Sequence, residues 1–501
     1  MSEPSQRWQC TVCGYVHEGS SPCEYCPICG ATSDLFEVEA EATAPVAAAV
    51  VGKWRCLNCE YVHEGQTPPN FCPVCAATAE HFEPLGDATP SFPTSSQALT
   101  FVVVGAGIAG VSAAEAIRNH APKAKITLLS RESELPYYRL NLTRYLAAEI
   151  DGDALPIHEA GWYRENDIEL LRDTELRSID VKRKRLQLRK GQDLDYDKLI
   201  LAMGSHPFVP PFPGVNRENV TVLRTRRDAE FILGQLRPGL SCVVIGGGVL
   251  GLETAGALAR RKVDVTLVEG YGWLMPQQLN QAAAERLAAQ ATELGIKFCM
   301  GARVKQLDGD ERVRGVALES GVNLPAELVI ITAGVRANSY VARLAGIGTN
   351  NGIVVDNRLL TDTPDIYAVG DVAEHRGILY GTWGPSQFQG TIAGMNAAGE
   401  TTEFAGIPRS NSLKVLGCEL FSIGQVRPGD GSYQEVEEID GEDYYFFLFR
   451  DSQLVGAILL GDTRLSAAVK RLVEKKLPCI DLLGRHAAGQ RIHPLLNDFG
   501  G

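Results

Sequence analysis

Phe101-Val-Val-Val-Gly105-Ala-Gly107-Ile-Ala-Gly110, running on into Val111-Ser-Ala-Ala-Glu-Ala-Ile117, is the stretch whose reading decides the fold. Four apolar residues, three of them β-branched, predict a buried strand. The glycines that follow predict a tight turn, and the Ala-rich segment after them predicts a helix. Ile126 to Leu129 predicts the next strand. A strand, glycine turn and helix in this order aim the N–H groups of a helix N-terminus at a pyrophosphate, with glycines letting the backbone approach it. The pattern is written again as Cys242-Val-Val-Ile245, Gly246-Gly-Gly248-Val-Leu-Gly251-Leu-Glu253, a helical stretch, and Val265-Thr-Leu-Val-Glu269. Two complete βαβ fingerprints in one chain predict a multidomain α/β protein with two Rossmann-like dinucleotide-binding domains.

The second fingerprint ends on Glu269, where a carboxylate hydrogen-bonds a ribose diol and repels a 2′-phosphate, so NADH is expected there rather than NADPH. Arg260, Arg261 and Lys262 read as the solvated end of the preceding helix. The first site is then expected to hold FAD. Thr363-Pro-Asp-Ile-Tyr-Ala-Val-Gly370-Asp371 predicts a strand that delivers a glycine and a carboxylate to the ribityl and pyrophosphate arm.

The front of the chain has a different texture. Nine of the thirteen cysteines lie before residue 76. Residues 8–37 and 54–83 are one module written twice without a gap, each position recurring 46 residues on. Cys10, Cys13, Cys26 and Cys29 recur as Cys56, Cys59, Cys72 and Cys75, two Cys-x-x-Cys knuckles separated by twelve residues in each copy. Four thiolates suit a tetrahedral Zn²⁺ or iron ion. A module of this size has too little core to fold without a metal. The residues alone leave both metals open. Cys23 has no counterpart, since Pro69 stands in its place, and reads as a spare thiol. His17 and His63 are not needed as ligands where four cysteines already serve. Cys242, Cys299, Cys418 and Cys479 stand singly and read as small core residues.

Several segments carry a family resemblance. The two fingerprints, Leu201-Ala-Met-Gly204, Thr332-Ala-Gly334 and Ala368 to Asp371 resemble the two-dinucleotide-domain flavoprotein reductases of the pyridine nucleotide-disulfide reductase superfamily. The resemblance implies FAD contacts at Gly105, Gly107, Gly110, Glu132, Gly204, Gly334, Gly370 and Asp371, and places Leu176 where an adenine-contacting strand runs. It implies NAD contacts at Gly246, Gly248, Gly251 and Glu269. Disulfide reductases of this architecture carry a redox cysteine pair, whereas Leu135-Pro-Tyr-Tyr-Arg139-Leu-Asn-Leu-Thr-Arg144 has no cysteine. This Pro-Tyr-x-Arg stretch resembles the ferredoxin-, rubredoxin- and nitrite-reductase flavoproteins. There Arg139 would hold the pyrophosphate and Arg144 would stand near the flavin, in place of the usual Lys. Glu253 matches a position near the nicotinamide–flavin contact. Residues 404–480 resemble the C-terminal domain of NADH:rubredoxin oxidoreductases, and the front modules resemble the rubredoxin-like domains of rubrerythrins, which favours iron over zinc.

The expected layout is two rubredoxin-like modules at 5–40 and 54–84 with linkers at 41–53 and 85–98. An FAD domain at 99–222 and 330–400 encloses an NAD domain at 223–329, followed by a small α+β domain at 404–480 and a tail at 481–501. The expected activity is an NAD(P)H:rubredoxin oxidoreductase in which NADH reduces FAD, with Glu253 and Arg144 at the reacting centre. Electrons then pass singly to two iron ions, each in a tetracysteine site. A rubredoxin-, rubrerythrin- or flavodiiron-type protein is the expected final acceptor. A net charge of −13 opposes nucleic-acid binding. No long uncharged apolar run and no signal-like N-terminus are seen, so a cytoplasmic protein without a membrane span is expected. Lys182–Arg185 and Lys470–Lys476 read first as ordinary solvated faces, with docking of the acidic first module as the alternative that their charge allows. Two alternatives stay open: a flavin NADH oxidase or reductase with zinc-binding recruitment modules, and an electron-entry flavoprotein related to nitrite reductase.

Overall fold

The computed structural model describes residues 99–406, 410–415 and 417–496, and in the front part residues 6–10, 16–19, 21–22, 33, 36–38, 53–56, 62–64, 67–68 and 82–85. The chain divides into two compact units: 1–97 with 150–156, and 98–149 with 157–501.

In the first unit, each front module is a three-stranded antiparallel sheet with its first strand in the middle. Gln6–Cys10 pairs with Val16–Gly19 and Phe36–Val38, setting Trp8 against His17 and Val38, and Cys10 against Phe36. Lys53–Cys56 pairs with Val62–Glu64 and Phe82–Leu85, setting Trp54 against His63 and Pro84, and Cys56 against Phe82. The registers coincide after the 46-residue offset, so the duplication extends to the hydrogen-bond ladder. Cys10 and Cys56 end their strands at the level of the backbone. Their thiols, the other six predicted ligands, Cys23 and the linkers apart from Lys53 and Leu85 lie outside the described residues.

In the second unit, strand β1 (Thr100–Val104) leads to helix α1 (Ile108–His120), strand β2 (Lys125–Leu129) and helix α2 (Leu142–Leu146). Strands β3 (Ile168–Leu171), β4 (Lys198–Leu201) and β5 (Val220–Val222) precede helix α3 (Arg226–Gln235). The second fingerprint forms strand β6 (Ser241–Ile245), helix α4 (Val249–Arg260) and strand β7 (Asp264–Val268). Helix α5 (Gln281–Glu293), strands β8 (Lys297–Cys299), β9 (Leu328–Ile331) and β10 (Ile366–Ala368), and helix α6 (Trp383–Ala397) follow.

Two five-stranded parallel sheets result, ordered β10-β4-β1-β2-β3 and β5-β9-β6-β7-β8. Their central strands are buried along nearly their whole length, as helix-covered parallel strands must be. Strands β5 and β9 pair side by side in the second sheet, so the expected boundaries at 222 and 330 fall at the end of one strand and inside the other. The chain crosses between the sheets through a short antiparallel pair, Ser205–Pro207 with Val335–Ala337. Both crossing strands leave a glycine, Gly204 at φ +63° and Gly334 at φ +99°.

The C-terminal domain is an antiparallel sheet of β11 (Ser410–Val415), β12 (Cys418–Gly424), β13 (Tyr433–Asp440), β14 (Asp443–Arg450) and β15 (Gln453–Leu460). Its order is β11-β12-β15-β14-β13. Alternation along β14 sorts its aromatics. Tyr444 turns toward α5, where its hydroxyl accepts a 2.7 Å bond from Asn280 and its ring lies under the Arg286 guanidinium. Tyr445, Phe447 and Phe449 pack on the other face against helix α7 (Ser466–Lys475), helix α8 (Ile480–Ala487) and helix α9 (Ile492–Leu495). Leu482, Ile492, Leu495 and Leu496 belong to this core. Buried Glu438 pins the end of the chain, accepting from the backbone N–H of Ile492 (2.5 Å) and His493 (3.0 Å) and bonding His493 Nδ1 (2.7 Å). The segment read from sequence as a tail from 481 is therefore part of this domain as far as Leu496. Among the described residues, no helix is long and apolar enough to cross a membrane.

Candidate functional site: two glycine cradles

Each fingerprint builds the same cradle. Gly105 (φ +110°) and Gly246 (φ +115°) need a backbone that other residues avoid. A Cβ there would stand 2.1 Å from the Ala202 carbonyl oxygen and 2.6 Å from that of Thr332. A Cβ on Gly110 or Gly251 would fall 1.8 Å from the carbonyl oxygen of Gly105 or Gly246, so these glycines let the helix close on the strand. The middle glycines differ. Gly107 and Gly248 are extended helix N-caps, and a Cβ on either would meet no atom within 4 Å.

The starts of α1 and α4 carry no side-chain cap and no acidic residue in the first turn. Their N–H groups and positive dipole ends are left for an anion. By contrast, α3 starts with a capping box from Thr225 and Asp228, and α5 is capped by Asn280. Each cradle thus pairs free helix donors with open space over a glycine, and both fit the pyrophosphate of a dinucleotide.

At the second cradle Glu269 is buried just past β7. Its carboxylate accepts from Gly247 N at 2.6 Å and Tyr271 N at 2.8 Å, which fixes the group beside the glycine turn. At the first cradle a polar network runs from the end of β2 to the segment after β10. Glu132 bonds Arg139 at 2.6 Å and the Tyr137 hydroxyl at 2.7 Å. Arg139 also donates closely to the Arg224 carbonyl. Arg224 Nη2 reaches Asp371 at 3.0 Å, and Ser205 Oγ donates to the same carboxylate oxygen at 2.8 Å. Gly370 (φ +75°) donates its N–H to buried Gln389 at 2.8 Å, and the Gln389 amide nitrogen has no protein partner among the described residues. Leu176 is buried on the first strand of a separate antiparallel sheet, Leu176–Asp180 with Arg185–Leu188 and Leu194–Asp195.

The structure brings Glu132, Arg139, Gly204 and Asp371 into one neighbourhood through Arg224 and Ser205, which the sequence reading missed. Nothing local marks Arg224: its partner Asp371 lies 147 residues away. With FAD in the first cradle, as expected from the sequence, replacing Arg224 with Met would weaken flavin retention roughly 10- to 100-fold, since a hydrogen bond to a charged group is worth about 1.5–3 kcal/mol. Flavin-to-protein ratios after dialysis measure this.

Glu253 on α4 accepts a 3.0 Å bond from Thr143 Oγ1 on α2, and burial pushes its carboxyl up to about 7. Arg144 donates to Glu149 at 3.1 Å, and Arg260 closes on the same carboxylate.

The basic cluster at 182–185 is largely met within the fold: Arg183 by Asp180, Lys184 by Asp365 and Arg185 by Asp195. Lys470 reaches Glu474. The first cluster therefore offers less charge to a partner than its sequence suggests. Cys242 and Cys479 are buried core residues as expected, and Cys299 is half-buried. The Cys418 side chain lies outside the described residues.

Comparison with known proteins agrees with this geometry. Residues 99–399 match the pyridine nucleotide-disulphide oxidoreductase family, and residues 410–477 match the rubredoxin NAD+ reductase C-terminal domain. Residues 8–37 and 54–83 match the rubredoxin-like domain of rubrerythrin. The chain is 33% identical over 379 residues to a nitrite reductase [NAD(P)H] of Bacillus subtilis (strain 168), covering 75% of this chain and 47% of that one. It is 36% identical to a rubredoxin-NAD(+) reductase of Pseudomonas putida over 57% of this chain and 74% of that one. The NADH:rubredoxin oxidoreductase structure from Clostridium acetobutylicum superposes with a TM-score of 0.67 at 28% identity, over 76% of this chain and 96% of its own. This chain spans about half the length, or less, of the nitrite and nitrate reductase relatives. With both cradles inside the matched region and a match covering more than half of its length, the chain belongs to the pyridine nucleotide-disulphide oxidoreductase family, as a rubredoxin-reductase-type member with two rubredoxin-like modules in front.

Proposed function

We propose that this protein is an NADH-dependent oxidoreductase that passes electrons to its own two tetracysteine modules and from them to a protein acceptor of rubredoxin, rubrerythrin or flavodiiron type. One observation carries the reading. Two dinucleotide cradles, with no redox cysteine pair in the Leu135–Arg144 segment, share a chain with two complete tetracysteine modules. The modules are the outlet that the missing disulfide would otherwise be.

The first cradle would hold FAD on Gly105, Gly107 and Gly110, with Glu132, Arg139, Gly204, Gly334, Gly370 and Asp371 along the cofactor and Leu176 toward its adenine end. The second would hold NADH on Gly246, Gly248 and Gly251, with Glu269 at the ribose. Cys10, Cys13, Cys26 and Cys29 would hold one iron, and Cys56, Cys59, Cys72 and Cys75 another. Bound FAD supplies two-electron acceptance and one-electron release, which the side chains cannot. The protein's part is positioning. Uncapped helix ends orient the pyrophosphates, Arg224 and Ser205 hold the Asp371 carboxylate, and the α2–α4 contact holds Glu253 between the FAD segments and the NAD segment. Arg144, tied to Glu149, would act as a fixed positive charge rather than a proton carrier, since a guanidinium stays charged.

Metal and flavin analysis of anaerobically purified protein, with its visible spectrum followed during NADH titration, tests the proposal. Two irons and one FAD, with thiolate-to-iron bands bleaching as NADH is added, are the expected result. Two zincs with bleaching of the flavin alone would overturn the internal relay and turn the modules into recruitment elements. Cysteine substitution in one module is expected to halve the iron reduced per protein.

A further inference from the structure

We propose that Thr143 is the positioning residue for Glu253, holding its carboxylate at the contact between the FAD-binding and NAD-binding segments, and that Arg144 does not serve this role. The inference rests on the reading of the second cradle as the NADH site.

The contact is made by two helices. Helix α2 follows the Tyr137–Asn141 turn of the FAD segment, and α4 starts at the second glycine cradle. Three links join them. Thr143 Oγ1 donates to Glu253 Oε2 at 3.0 Å. Arg261, just past α4, donates Nε to the Leu146 carbonyl at 2.5 Å. Arg144 and Arg260 close on Glu149 from the two sides. Thr143 is itself buried, so its hydroxyl is committed to this interface.

The charges around Glu253 are arranged unusually for a carboxylate. Arg144 follows Thr143 in the chain and Arg260 ends α4, and both are engaged by Glu149. Among the described residues, the charge that acts on Glu253 is that of Glu149, another carboxylate. Strands β6 and β7, packed under α4, carry one charged residue, Asp264, which pairs with Lys297 at 2.7 Å. Strand β11 also packs on α4 and bears Lys414, whose side chain lies outside the described residues. Burial and Glu149 oppose ionisation, and the Thr143 hydroxyl favours it. Without that hydroxyl a buried carboxyl keeps its proton to higher pH. Thr143 therefore sets the direction of the Glu253 carboxylate and, against burial, favours its charged form at the contact between the two segments.

The test uses the oxidised holoprotein, with NADH left out of the infrared arm. Infrared titration follows the protonated-carboxyl band that Glu253→Gln removes, and the pH profile of NADH-driven flavin reduction is recorded in parallel. Thr143→Val is expected to raise both midpoints by about one pH unit, the scale of one lost hydrogen bond to the charged form. Thr143→Ser, which restores the hydroxyl, is expected to return both to the parental values. Equal midpoints in the parent and Thr143→Val would overturn the proposal, as would a shift of the same size in Thr143→Ser. Should NADH fail to reduce the parental flavin at any pH, the proposed function falls, while the infrared titration still decides the role of Thr143.

Discussion

Gly248→Val is expected to abolish NADH-driven flavin reduction while leaving the flavin bound, and Gly107→Val is expected to do the reverse and empty the flavin site. Both glycines have extended backbones that any residue adopts, and neither would press a new Cβ on protein atoms. The fold therefore has no reason to resist either change. The added side chain stands where a pyrophosphate must approach the uncapped helix end, so the loss falls on the ligand alone. A loss of at least about 100-fold is expected, about 2.7 kcal/mol. The neighbouring Gly110→Val and Gly251→Val are controls of another kind, since their Cβ atoms would strike the turn carbonyls at 1.8 Å and disturb the fold. Flavin content, NADH titration and melting of the four variants separate these effects. Flavin loss from Gly248→Val with retention in Gly107→Val would exchange the assignment of the two cradles. Near-parental behaviour of both would remove the cradles from the mechanism.

Both cradles were legible in the sequence because a glycine turn between an apolar strand and a helix is a local pattern. Gly105, Gly107 and Gly110 sit within six residues and need no distant partner to be recognised. The front modules were legible for the same reason, helped by being written twice. What escaped was set by tertiary contact. Arg224 and Ser205 meet Asp371 only when the two crossing segments bring residues 147 and 166 positions apart together. The sheet that β5 and β9 join was not legible because both are short apolar strands, and only their mutual pairing shows it. The cluster at Lys182–Arg185 looked like a free basic face because its acidic partners, Asp195 and Asp365, lie elsewhere in the chain. The segment after 480 has an amphipathic pattern, yet its burial depends on an aromatic face of β14 and on Glu438, which only the folded sheet presents.

Glu253→Gln is expected to make the protein more stable at pH 8 and to leave its stability nearly unchanged at pH 5. The carboxyl stands near 4.5 when solvated and is pushed up to about 7 in the fold, chiefly by burial. Between these values the folded protein keeps a proton that the unfolded chain has released, so rising pH favours unfolding. The cost begins above about pH 4.5 and is complete above about pH 7, where it reaches up to about 3 kcal/mol at 1.36 kcal/mol per unit. An amide has no proton to lose over this range and can still accept from Thr143, so the variant escapes the cost without giving up the α2–α4 link. Chemical denaturation of both proteins at pH 5, 6.5 and 8, with FAD in excess so that cofactor loss does not contribute, measures the difference. A gap between variant and parent that widens with pH supports a buried, unpaired carboxyl at this contact. A constant gap would mean that Glu253 is ionised throughout and held by a cation, and the positioning role assigned to Thr143 would pass to that cation.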